Sequence, residues 1–177
     1  MSKLTITEAL AEKRVIDKRI ESASNAIHNY VARQASLVDP LAKQGGSEKY
    51  IAEQRQSIHD LLERKISIQN AINQSNDKTS ATVHGVTRTI AEWLIWKRDV
   101  ALAADRIYSK ISNKIETSRN INQQRVTSGK ESAAIADTVI ALDEKQFYEE
   151  IAAHQEIENV LDGVLSMKNA TTYVDVA

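Results

Sequence analysis

Thr5-Ile6-Thr7-Glu8-Ala9-Leu10 reads against Thr89-Ile90-Ala91-Glu92-Trp93-Leu94, 84 residues further on. Lys13-Arg14 matches Lys97-Arg98 at the same offset, as do Gly45 with Gly129 and Ile51-Ala52-Glu53 with Ile135-Ala136-Asp137. The shared pattern is T-I-x-E-x-L-x-x-K-R. Thr followed three residues later by Glu is a capping box, in which hydroxyl and carboxylate each satisfy a free backbone N–H at a helix start. Two long helices therefore begin at the same phase. Each copy breaks near a glycine and starts a second helix. The pattern predicts an all-α chain of two tandem antiparallel helical hairpins, offset by 84 residues, forming an elongated four-helix bundle with coiled-coil character. It predicts one helical domain over 1–168, with pseudo-repeats at about 4–74 and 88–168, followed by an extended tail over 169–177.

Working outward, helix 1 is expected from Ile6 to Ser36, with a stripe of Ile6, Ala9, Lys13, Ile16, Ile20, Ala23, Ile27 and Tyr30. Asp39-Pro40 and Gly45-Gly46 mark a loop. Helix 2 is expected from Ser47 to Gln74, and polar Asn73 to Ser80 reads as a linker. Thr82 to Thr87 surrounds His84-Gly85 with β-branched residues and reads as a small hairpin. Helix 3 is expected from Ile90 to Ile121, with Trp93, Lys97, Val100, Ala104, Ile107 and Ile111 completing its stripe. Asn122 to Lys130 reads as the second hairpin loop, and helix 4 as Glu131 to Met167. A helix of that length spans roughly 55 Å, and such helices pack as bundles or coiled coils.

Composition narrows the function classes. The 177 residues carry a net charge of −1, which gives nucleic-acid binding no support. There is no cysteine, so disulfides, thiolate metal sites and cysteine nucleophiles are excluded. No apolar run approaches the ~20 residues of a membrane span. The first residues lack the apolar core of a secretion signal, so the expected place of synthesis is the cytoplasm.

No catalytic constellation emerges, and the chain reads as non-enzymatic, with no cofactor and no metal site. None of His28, His59, His84 and His154 has Glu three residues earlier, so the Glu-x-x-His pairs of a di-iron bundle are missing. Glu150 and His154 share a helix face and are the one foothold for a metal, but read first as an ordinary surface pair. Val126 to Ser132 lacks the leading glycine of a phosphate loop.

Charge is segregated. Glu131 to Asp162 holds nine acidic residues and one lysine, and Arg88 to Lys130 nine basic and four acidic. Matching within one molecule is the first reading, docking on a basic partner the second, and cation binding by the acidic face the third. Trp93 lies on its helix stripe and reads as core. Trp96 lies off it, and with Tyr108 becomes an interface candidate, since aromatic residues are enriched at subunit contacts. Lys13 and Lys97 sit mid-stripe in both copies and read as snorkelling or register-setting charges. In the tail, Thr171 to Val176 alternates enough to add as a strand to a neighbour's edge, with Tyr173 as its anchor, and the other reading is a tail folded back on its own bundle. That makes Tyr173 and Val174 interface candidates too.

The segments Leu4 to Leu10, Asp39-Pro40-Leu41 and Thr87 to Leu94 resemble a group of small helical bacteriophage proteins of mostly unassigned role. The Glu-Ala-Leu start and long first helix more weakly resemble the septicolysin-like family. The phage resemblance covers about residues 1–120 and carries no catalytic residues. It implies a virion component or assembly factor. The reading is thus a structural protein at the head–tail junction, tail or capsid surface. It would self-associate or contact other virion proteins, with no direct nucleic acid and no membrane span. The alternative is a cytoplasmic helical bundle binding a metal or small ligand. A pore-forming protein is the weakest reading, because no segment is apolar enough.

Overall fold

Both capping boxes form. Thr5 and Thr89 each accept a bond from the backbone N–H of the glutamate three residues on, Glu8 and Glu92, at 3.2 Å. The glutamate carboxylates accept from the two threonine N–H groups at 2.8 Å. The backbone N–H of Thr5, and then its hydroxyl, hold Glu8 below its ordinary carboxylate range. The computed structural model describes residues 2–127 and 138–176. The chain is mostly helical, with small antiparallel β ladders. In order, the elements are β1 (Ser2–Thr5), α1 (Ile6–Tyr30), α2 (Gly46–Lys78), β2 (Ser80–Val83), β3 (Val86–Thr89), α3 (Ile90–Ile95), a π segment (Trp96–Ala101), α4 (Leu102–Thr127), α5 (Glu144–Thr171) and β4 (Tyr173–Val176).

These elements fall into two compact units, Met1–Thr79 with Leu165–Ala177, and Ser80–Val164. The expected helical domain over 1–168 takes in parts of both, and the tail falls with the first. β4 pairs antiparallel with β1, Thr5 opposite Tyr173 and Ser2 opposite Val176, so the C-terminal end belongs to the first unit. The strand thus joins an edge of its own chain rather than a neighbour's. Val174 and Val176 turn inward against Ile6, Ala9, Ile16, Ile68 and Ile72.

In the first unit α1 and α2 run antiparallel. The Arg64 guanidinium donates to Glu12 at 2.9 Å, Lys65 pairs with Asp17, and Lys13 donates to Gln69. Tyr30 meets Tyr50 edge-on at 5.5 Å near the loop. α1 stops at Tyr30, six residues before the expected Ser36. The chain must leave the helix to bring Asp39 back to α2. There the Asp39 carboxylate accepts from the Ser47 hydroxyl at 2.6 Å and from the N–H groups of Ser47 and Leu41 at 2.7 and 2.8 Å. Those bonds, the Ser47 hydroxyl first, hold Asp39 down to about 2. Gly45 takes a φ of 98° at this turn, a left-handed backbone that favours glycine. At its other end α2 runs on to Lys78 through the expected linker, with Asn76 buried and Gln69 donating to Asn73 at 2.7 Å.

The hairpin at His84-Gly85 forms, with four-residue strands pairing Val83 to Val86 and Ser80 to Thr89. His84 and Gly85 both have positive φ, 46° and 77°, as a two-residue turn matching the strand twist requires. Trp93 is fully buried beneath it, and its indole N–H donates to the Ala81 carbonyl at 3.0 Å.

The helix after Trp93 departs from the expected stripe. Val100 and Ile107, expected inside, are 47% and 55% exposed, whereas Trp96, Ala101, Ile115 and Ser118 are buried. The π segment is the cause. Its i→i+5 bonds admit one extra residue, which rotates everything beyond it by one position. The repeat offset is therefore 84 before the segment, where Ile90 matches Ile6, and 85 after it, where Ala101 matches Ile16. In the second helices it is 93, with buried Leu161 and Leu165 matching Ile68 and Ile72. Residues 138–143 are not helical, so helix 4 begins at Glu144 instead of Glu131. There the Asp143 carboxylate accepts from the Gln146 N–H at 3.1 Å. Helix 3, expected to end at Ile121, continues as α4 to Thr127. The Gly129 and Ile135–Asp137 matches lie outside the described residues.

Candidate functional site

Trp96, at the start of the π segment, is turned inward, and there the second unit builds a run of aromatic contacts. Trp96 meets Trp93 edge-on at 5.7 Å and tilts against the His154 imidazole at 5.1 Å. Tyr108 meets His154 at 5.5 Å and Phe147 at 5.9 Å. His154, on α5, is only 9% exposed. Its Nε2 is buried without a hydrogen-bond partner.

Two carboxylates face that nitrogen. Asp105 on α4 places Oδ1 3.7 Å from it, and Glu158, one helical turn beyond His154, places Oε1 4.0 Å from it. One donor atom from each of the three residues lies within 4.8 Å of the others. Both gaps exceed an ordinary hydrogen bond. Asp105 is half-exposed, which opens the cluster to solvent.

The internal repeat shows what is unusual here. At the 85 and 93 offsets, Asp105 stands where the first copy has Ile20, and His154 where it has Leu61. Ile20 and Leu61 both pack on the first unit's apolar core. Glu158 stands where the first copy has Lys65, which pairs with Asp17. The second copy thus replaces two apolar side chains and a lysine by aspartate, histidine and glutamate.

Other charges of α5 are matched within the second unit. Lys97 pairs with Asp162, Arg119 with Glu144, and His84 Nδ1 lies 3.4 Å from Glu156. Lys97 and Lys13 keep equivalent roles, since Asp162 and Gln69 stand at matching positions of the second helices.

The sequence-based site residues scatter. Trp96 is buried against Trp93 and His154. Tyr108 is half-buried between His154 and Phe147. Val174 is buried in the first unit, and Tyr173 is exposed beneath the Lys3 ammonium, 5.3 Å from the ring centre. Glu150, the expected companion of His154, accepts a bond from Gln146 at 3.1 Å. Sequence reasoning misses Asp105 and Glu158. The four-residue spacing of His154 and Glu158 is a signal that points to one of them. Asp105 needs the shifted register of α4.

The fold has a known counterpart. Over 98% of its length the chain is similar to the whole of a conserved protein of unknown function from Corynebacterium diphtheriae, seen in a crystal structure, with a TM-score of 0.57 and 17% identity. At that identity the likeness shows the fold alone. No family model and no curated protein matches the chain.

Proposed function

We propose that this chain is a non-enzymatic structural and interaction protein that works in an oligomer, as a bacteriophage virion component at the head–tail junction, tail or capsid surface. Part of the proposal is that its two hairpins make up one elongated four-helix bundle. The observation that carries the reading is the apolar surface left on the helices. Ile95, Val100, Leu102 and Ile107 all turn outward around the π segment, and Leu62 and Ile66 do so on α2. Ile95 and Val100 line a shared groove beside Trp96. Apolar side chains grouped on helix faces gain free energy when a second surface covers them. The strand-closed hairpins and cross-helix ion pairs favour a stiff scaffold that presents those faces.

Sedimentation velocity on the purified chain tests self-association. The expected result is a concentration-dependent oligomer that Ile95→Ser with Ile107→Ser weakens while helicity stays unchanged. A strictly monomeric chain at high concentration, unaffected by the double substitution, argues against the oligomer.

A further inference from the structure

We propose that Asp105, His154 and Glu158 form a binding site for one first-row divalent cation, of which Zn²⁺ is the best-fitting representative. The donors are an imidazole nitrogen and two carboxylate oxygens, a set that suits zinc when three protein ligands leave a fourth position for water. Two donors bound tetrahedrally at zinc distances lie roughly 3.3–3.5 Å apart. The gaps from His154 Nε2, 3.7 Å to Asp105 and 4.0 Å to Glu158, need a few tenths of an ångström of contraction, and the two carboxylate oxygens, within 4.8 Å of each other, close by side-chain rotation. The gaps from Nε2 are too long for hydrogen bonds between the groups themselves and leave room for an ion between the donors.

The second, independent observation is the state of His154. A buried imidazole nitrogen without a partner carries a desolvation cost. This one is 9% exposed, has no hydrogen bond at Nε2 and is aimed between the two carboxylates. A cation would satisfy it. The Trp96 and Tyr108 rings pack against the imidazole, which fixes its orientation before any ion arrives. The half-exposed Asp105 carboxylate gives the ion a route from solvent. The repeat supplies a built-in comparison, since Ile20, Leu61 and Lys65 at the matching positions of the first copy cannot hold a cation.

The test uses the tag-free full-length chain, stripped with EDTA and dialysed, then titrated with ZnCl₂ in a calorimeter. Elemental analysis after gel filtration gives the stoichiometry. The expected result is one zinc per chain. Asp105→Asn and Glu158→Gln should each weaken binding about tenfold or more, since even indirect disturbance of a metal ligand costs that much. Glu150→Gln, on the same helix but outside the cluster, should leave affinity unchanged. A Co²⁺-loaded sample should change its visible absorption on Asp105→Asn. His154→Ala should abolish binding, and circular dichroism shows whether that variant folds. If it does not, half-exposed Asp105 decides the matter. The proposal is overturned if the wild-type chain takes up no stoichiometric zinc. It is equally overturned if Asp105→Asn binds as tightly as wild type, or if Glu150→Gln weakens binding as much as Asp105→Asn.

Discussion

Deleting Arg98 should leave the second unit folded, although a one-residue deletion inside a helix is normally disruptive. The π segment carries one residue more than an α-helix needs between Trp93 and Ala101. Removing it lets the segment close as regular α-helix while Trp93, Lys97 and Ala101 keep their faces. Arg98 itself contributes an exposed pair with its neighbour Asp99, and such surface pairs carry little stability. The control is deletion of Lys110, in regular α4. There one residue corresponds to about 100° of rotation and 1.5 Å of rise. Ile115, 4% exposed, and the half-buried Ile111 would turn away from the core. One isoleucine is worth about 1.5–3 kcal/mol of burial, so with its half-buried neighbour the loss is about 3 kcal/mol. For a chain of this size that lowers the melting midpoint by about 6–12 °C, whereas the Arg98 deletion should stay within about 3 °C of wild type. Thermal unfolding followed by circular dichroism reads both. If the Arg98 deletion is as damaging as the Lys110 deletion, the extra residue is not what sets the register of α4.

Three further outcomes are expected. Thr89→Ala removes one capping box and should cost about 1 kcal/mol, seen as a midpoint lowered by about 2–4 °C. Truncation after Thr171 removes the buried Val174 and Val176 and should destabilise the first unit by at most about 3–6 kcal/mol, lowering helicity on mild denaturant titration. Asp39 has a folded pKa of about 2, below its ordinary 3.8, so its contribution is fully present above pH 3.8 and is lost as pH falls through 2. Stability measured from pH 5 to pH 2 should therefore fall more steeply for wild type than for Asp39→Asn, and parallel curves would remove Asp39 from the account.

What is legible in the sequence follows the local signals. The capping boxes at Thr5 and Thr89, the His84-Gly85 turn and the buried Trp93 all depend on residues close together in the chain, and each takes its expected place. The π segment gives no compositional signal, because Trp96 to Ala101 reads as ordinary amphipathic helix. Positions past the extra residue therefore read one residue out of phase, which places Val100 and Ile107 inside although both are exposed. The pairing of β4 with β1 is a contact between the two ends of the chain, and alternation alone leaves the strand's partner open. The site stays hidden for the same reasons combined. Asp105 meets His154 only once the α4 register and the antiparallel course of α5 are both known.

The central claim, a structural protein built into a virion, is tested most directly by quantitative mass spectrometry of purified phage particles. Particles should be banded by density and washed in high salt, and the infected lysate measured alongside. The account predicts that the chain copurifies at a fixed, multiple copy number per particle and survives the wash. Its absence from the particles, with the chain abundant in the lysate, would contradict it.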